Sequence, residues 1–115
     1  MILPLYTPVT SGSLKDQIIL AADIGATKTN LAIYEIHSGD FIPVKEKKYP
    51  STQFQKVTDM LDDFLSDQDH PDAFSLGVAG PVINGRSELT NIHLVIDAKE
   101  ISEHFNGTPV YILND

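Results

Sequence analysis

The stretch Ile18-Ile19-Leu20-Ala21-Ala22-Asp23-Ile24-Gly25-Ala26-Thr27-Lys28-Thr29-Asn30 decides the fold. It opens with a continuous apolar run that stops at Asp23, the pattern of a strand buried on both faces. Gly25 and a polar cluster then turn the chain, and Asn30-Leu31-Ala32-Ile33-Tyr34-Glu35-Ile36 reads as a second strand. His37-Ser38-Gly39-Asp40 has the composition of a turn. A third strand is expected over residues 41–49, where Lys45, Glu46, Lys47 and Lys48 suit a solvated edge. Strands joined by such short turns make an antiparallel meander.

Beyond residue 50 the period changes. Phe54, Val57, Leu61, Phe64 and Leu65 recur at helical spacing, which predicts a helix over residues 53–66 with Ser51 or Thr52 as its N-cap. Gln68-Asp69-His70-Pro71 ends it, and Ala73–Ala79 reads as a fourth strand closed by Gly80-Pro81. Asn84-Gly85 looks like the tip of a small hairpin. Asp97 is placed to cap a second helix, with Glu100 completing a capping box, Ile101 and Phe105 forming its apolar stripe and Gly107 ending it. Val110-Tyr111-Ile112-Leu113 is a fifth strand that delivers Asn114-Asp115 at its carboxyl end. The order is therefore β-β-β-α-β-α-β. Helical crossovers after the third and fourth strands put the later strands parallel to the first. The expectation is an α/β, ribonuclease-H-like five-stranded mixed sheet over residues 18–115, with helices packed on it, preceded by a loose lead-in at 1–17.

Bulk properties narrow the function. A chain of 115 residues, 42% hydrophobic, holds one modest domain with a real core. A net charge of −8 and a pI near 4.7 argue against nucleic acid or an anionic membrane as partner, because both demand a positive face. An anionic ligand would have to be held locally, by backbone N–H groups, a metal ion or a partner domain. The absence of cysteine excludes disulfides and thiolate metal sites. No stretch approaches the roughly 20 apolar residues of a spanning helix, and Met1–Tyr6 lacks the basic flank of a signal peptide. These traits fit a cytoplasmic protein. Asn106-Gly107-Thr108 matches a glycosylation pattern but is read as an Asn-Gly turn.

Three features fall at the carboxyl ends of strands that should be neighbours, where open α/β sheets place their ligand crevice. The first is Asp23-Ile24-Gly25-Ala26-Thr27, of the form D-x-G-x-T. A turn that brings backbone N–H groups against phosphate oxygens needs small residues, with Gly25 free to adopt positive φ. Thr27 and Thr29 would add hydroxyl donors, and Asp23 would sit near a nucleotide's magnesium through water. The alternative is an ordinary hairpin turn with a capping Asp. Lys28 is read as a solvated turn lysine rather than a phosphate ligand. The second feature is Gly77-Val78-Ala79-Gly80-Pro81-Val82 followed by Leu89-Thr90-Asn91. Small residues at Gly80 let a ligand or another backbone approach closely, and the Asn91 amide suits paired hydroxyls, although taken alone the segment reads better as a Gly-Pro turn with a capping Asn. The third is Asn114-Asp115, either a carboxylate positioned to take a proton from an attacking hydroxyl or a helix N-cap following the strand.

Together these segments, with Ile92, Val95-Ile96-Asp97 and Ile112-Leu113, resemble the bacterial glucokinase family along nearly the whole chain from Ile18 onward. The resemblance implies a cytoplasmic enzyme that moves the γ-phosphoryl group of ATP, with Mg2+, to the 6-hydroxyl of glucose. It implies Asp115 as catalytic base, Asn114 and Asn91 as glucose contacts beside Gly80, and Asp23, Gly25, Ala26 and Thr27 as the phosphate loop. It also implies a second, larger lobe missing from this chain, and a homodimeric parent. Ala26 stands where a second glycine is usual, a small change if its φ is negative. His93-Leu94 replaces a common Pro-Trp, and His93 is read as a packing residue.

Rival readings are a kinase of the ROK group acting on another hexose, a non-catalytic sugar-sensing domain, and an ATPase fragment of the actin type. Thr90-Asn91 and Ile112-Leu113-Asn114 fit glucokinase better than ROK kinases, and 17 residues ahead of Ile18 are too few for a sensor's DNA-binding module. Actin-type proteins would not be expected to carry Asn91 and Asn114-Asp115 as a set.

Overall fold

The computed structural model describes residues 17–114, so the lead-in at 1–16 and the expected catalytic base Asp115 lie outside the described residues. The strands are β1 (Gln17–Ile24), β2 (Lys28–His37), β3 (Asp40–Pro50), β4 (Ala73–Val78), β5 (Arg86–Leu89), β6 (Leu94–Asp97) and β7 (Val110–Asn114), with helices α1 (Val57–Leu65) and α2 (Ala98–His104). Gln17, assigned above to the lead-in, is already the first residue of β1 and pairs with Ile36.

Five strands form one sheet in the order β3-β2-β1-β4-β7. β1, β2 and β3 are an antiparallel meander, whereas β4 is parallel to β1 and β7 parallel to β4. β3 is the lysine-bearing edge that its composition foretold. Ser38 and Gly39, at φ 52° and 86°, make the two-residue turn between β2 and β3. Ile19, Leu20, Ala21 and Ala22 are at most 2% exposed, so β1 is buried on both faces as its unbroken apolar run requires.

One face of the sheet carries Leu20, Ala22, Ile24, Leu31, Ile33, Phe74, Leu76 and Val78, packed with Val57, Met60, Leu61 and Phe64 of α1 and Ile101 and Phe105 of the α2 region. Burial of this set is the main source of stability, at about 25 cal/mol per Å² of apolar surface. Leu89, Leu94 and Ile96 of the β5–β6 hairpin join the same core. The sequence reading foresaw the hairpin turn at Asn84-Gly85, where both residues have positive φ, but not the two-stranded sheet that follows it. Four-residue strands are too short to announce themselves by alternation.

The helices differ from expectation in one respect. α2 starts where predicted, with the Asp97 carboxylate accepting from the N–H groups of Lys99 and Glu100, and its exit runs through Asn106 and Gly107 at positive φ. α1, however, starts at Val57 with Lys56 as its N-cap and no side-chain cap. Ser51 is not a cap at all. It is 1% exposed and bonded to the β1–β2 turn, which draws residues 51–56 away from the helix axis.

Candidate functional site

Strand register assembles the site. Across β2, β1, β4 and β7, one row aligns Asn30, Asp23, Gly77 and Leu113, and the next aligns Thr29, Ile24, Val78 and Asn114. Aligned residues share a face of the sheet, so Asp23 and Asn30 project together from one face and Asn114 from the other, the face covered by the helices and the hairpin. The carboxyl ends of β1, β4 and β7 thus finish level with one another, as the sequence order required.

The β1–β2 turn, Gly25–Thr27, is closed by the Gly25 N–H donating to the Lys28 carbonyl at 3.0 Å. Gly25 does not have positive φ, which corrects the expectation. The reason for glycine is space, because a Cβ there would stand 3.2 Å from the Lys28 carbonyl oxygen. Ala26 is likewise absent from the positive-φ residues, so the missing second glycine costs the turn nothing. Ala26, Thr27 and Lys28 are exposed at the tip.

Thr29 is a second correction. Its hydroxyl was expected to face a phosphate, but Thr29 is 1% exposed and its Oγ1 lies 2.8 Å from the Ser51 Oγ. The Ser51 hydroxyl donates to the Gly25 carbonyl at 2.6 Å, so the Thr29 hydroxyl is the donor between the two side chains. The Ser51 N–H donates to the Thr27 carbonyl at 2.9 Å. Ser51 itself is anchored from both sides. Preceding it, the Tyr49 hydroxyl donates to Asp63 of α1 at 2.6 Å, and the Tyr49 ring meets Phe54 edge-on at 5.9 Å. Burial and the Asp63 carboxylate push the Tyr49 hydroxyl well above its ordinary pKa, while the same hydrogen bond and the neighbouring Lys47 hold Asp63 below the usual carboxylate range. Sequence spacing offered Ser51 only as a helix cap, and no local signal marked it as a partner of the turn.

At the end of β4, the Ala79 N–H donates to the Ile24 carbonyl at 3.1 Å, tying β4 to the start of the turn. Gly80 has a packing reason to be small: a Cβ would lie 3.3 Å from Leu89 and 3.4 Å from the Ser87 Oγ, so its bare backbone admits the β5–β6 hairpin. Asn91 is exposed in the turn that joins β5 and β6. His93, expected to pack, is instead an exposed residue at φ 54° in that turn, a conformation histidine tolerates better than most.

Asn30 presents a buried Oδ1 with no hydrogen-bond partner, in the same row as Asp23. Among the described residues there is no group of three or more His, Asp or Glu side chains able to hold a metal ion. Asp23 and the unpartnered Asn30 Oδ1 make a pair of oxygen acceptors rather than a cage, a set that would suit a hydrated magnesium held through water. No helix among the described residues is long and apolar enough to cross a membrane.

Comparison with known proteins identifies relatives of the chain as a whole. The chain is 31% identical over 102 residues to a glucokinase of Nostoc sp., a match covering 85% of this chain and 30% of that protein. A glucokinase of Chelativorans sp. is 30% identical over 102 residues, covering 84% of this chain and 28% of the relative. The chain thus spans about 30% of the length of the curated relatives it matches. Among solved structures, a glucokinase from an Antarctic psychrotroph superposes with a TM-score of 0.78 at 27% identity, covering 86% of this chain and 32% of that one. A ROK family protein from Streptococcus pneumoniae reaches 0.61 at 21% identity over 85% of this chain and 34% of its own, which shows a shared fold alone. The family model described as Glucokinase matches residues 20–115, nearly the whole of the sheet and both crossovers, and the chain belongs to that family.

Proposed function

We infer that the chain is the amino-terminal lobe of a cytoplasmic glucokinase, which transfers the γ-phosphoryl group of ATP to the 6-hydroxyl of glucose and works as a homodimer. The observation that carries this reading is the level ending of β1, β4 and β7, which sets the Gly25–Thr27 turn and Asn114 at one edge of the sheet. The N–H groups of Ala26 and Lys28 and the Thr27 hydroxyl bind phosphate oxygens. Asp23 and Asn30 would hold a nucleotide-borne Mg2+ through water, and the ion would supply charge neutralisation. Asn91 and Asn114 hold sugar hydroxyls, with the Gly80 backbone keeping the hairpin that carries Asn91 close to the sheet. Asp115, next along from Asn114, accepts the proton as the sugar oxygen forms its bond to the γ-phosphorus and the bond to the β-phosphate bridging oxygen breaks, leaving ADP. Because the transition state is loose, position and charge matter more than the basicity of that carboxylate. The second lobe of the parent enzyme supplies the adenosine site and further sugar ligands, so residues 1–115 alone should show no turnover.

The test is Asp115→Ala in the full-length enzyme. Turnover should fall about 100- to 10,000-fold, the usual contribution of general base catalysis, with glucose affinity changed far less. Near-normal turnover would remove Asp115 from that role.

A further inference from the structure

We propose that Ser51, with Thr29, is a positioning pair that sets the direction of the backbone amides in the Gly25–Thr27 turn. This rests on the turn being the nucleotide-phosphate loop. Ser51 engages two carbonyls of the turn at once, that of Gly25 through its hydroxyl and that of Thr27 through its N–H. Every peptide bond among the described residues is trans. In a planar trans peptide the N–H points opposite to the C=O of the same unit. Holding the Gly25 and Thr27 carbonyls toward Ser51 therefore turns the N–H groups of Ala26 and Lys28 away from it, and both of these residues are exposed. A turn with free carbonyls can flip a peptide and present oxygen where an anion needs N–H.

The pair is also closed on itself. The single Ser51 hydroxyl proton goes to Gly25, so Thr29 must donate to Ser51, and both residues are 1% exposed, away from bulk water. Ser51 is in turn fixed by β3 and α1 through Tyr49. Neither Ser51 nor Thr29 needs to touch the nucleotide.

The experiment measures steady-state kinetics and amide hydrogen exchange on the full-length enzyme with Ser51→Ala, Thr29→Val and Thr29→Ser. Thr29→Val preserves shape and so keeps the test valid should Ser51→Ala fold poorly. Ser51→Ala and Thr29→Val should each raise KM for ATP about tenfold, leaving kcat and KM for glucose within about twofold, while Thr29→Ser stays near the parent value. Exchange at the Gly25 and Ser51 amides should quicken in the first two variants without nucleotide. An unchanged KM for ATP in variants whose Gly25 amide has lost protection would overturn the positioning role. A parent enzyme that does not phosphorylate glucose would refute the functional reading instead. Exchange would then judge the pair alone, and undiminished protection of Gly25 in Ser51→Ala would refute it.

Discussion

Gly25→Ala pits two effects of similar size against each other. The new methyl carbon would stand 3.2 Å from the Lys28 carbonyl oxygen, so that backbone atom must retreat by a few tenths of an ångström. The same oxygen accepts the Gly25 N–H at 3.0 Å, and the retreat weakens the bond that closes the turn. Loss of such a bond costs about 0.5–1.5 kcal/mol. Against it, replacing glycine at a residue without positive φ lowers the entropy of the unfolded chain by an equivalent of about 0.4–1 kcal/mol. The net change in stability is therefore small, within about 1 kcal/mol, or roughly 5 °C in Tm for a domain of this size. The geometry of the turn does not benefit from that cancellation. The full-length variant should keep its unfolding midpoint, followed by circular dichroism, yet bind ATP about tenfold more weakly, since about 1.4 kcal/mol of misplaced hydrogen bonding is tenfold in affinity. A midpoint lowered by much more than 5 °C would show that the carbonyl cannot retreat, and ATP affinity equal to the parent's would show that the turn is not the binding loop.

Two further outcomes follow from the packing. Asp97→Ala removes both capping bonds of α2 and should lower stability by about 1 kcal/mol, while Asp97→Asn, which keeps an acceptor, should recover most of it in chemical denaturation. Stability should also depend on the Tyr49–Asp63 bond at both ends of the pH scale. The Asp63 pKa is lowered, so its contribution is present above the ordinary carboxylate value of 3.8 and is lost as pH falls through the folded value. The Tyr49 pKa is raised, so its contribution is full below pH 10 and is lost as pH rises toward the folded value. Tyr49→Phe should flatten the decline on both flanks, and a profile indistinguishable from the parent's would refute the coupling.

The sheet was legible because its strands are long, apolar and punctuated. Asp23, Gly39 and Gly80 each mark a chain reversal or exit that composition alone reveals. α2 was legible through Asp97 for the same reason. α1 was misjudged at its start because Phe54 continues the helical period while serving a different purpose, covering Tyr49 beside the turn. The β5–β6 sheet escaped notice because its strands are a single turn's length from each other and its packing partner, Gly80, lies outside it. Within the site, the small residues of the turn could be read from sequence, since only their size matters. The reason for Gly25 could not, because it depends on where the Lys28 carbonyl sits. Nor could the role of Ser51, whose partners lie 22 and 26 residues away and become neighbours only when β3 runs back along β2.

That return of β3 also orders events during folding. The meander needs only two short reversals, and hairpins close in about 1–10 μs. Adding β4 requires first closing the long α1 connection, and adding β7 a second one, each with its own loss of chain freedom. The turn at Gly25 and its brace at Ser51 both belong to the early unit. On a growing chain the Gly25–Thr27 turn could therefore take its shape before Asn91 and Asn114 have joined the fold.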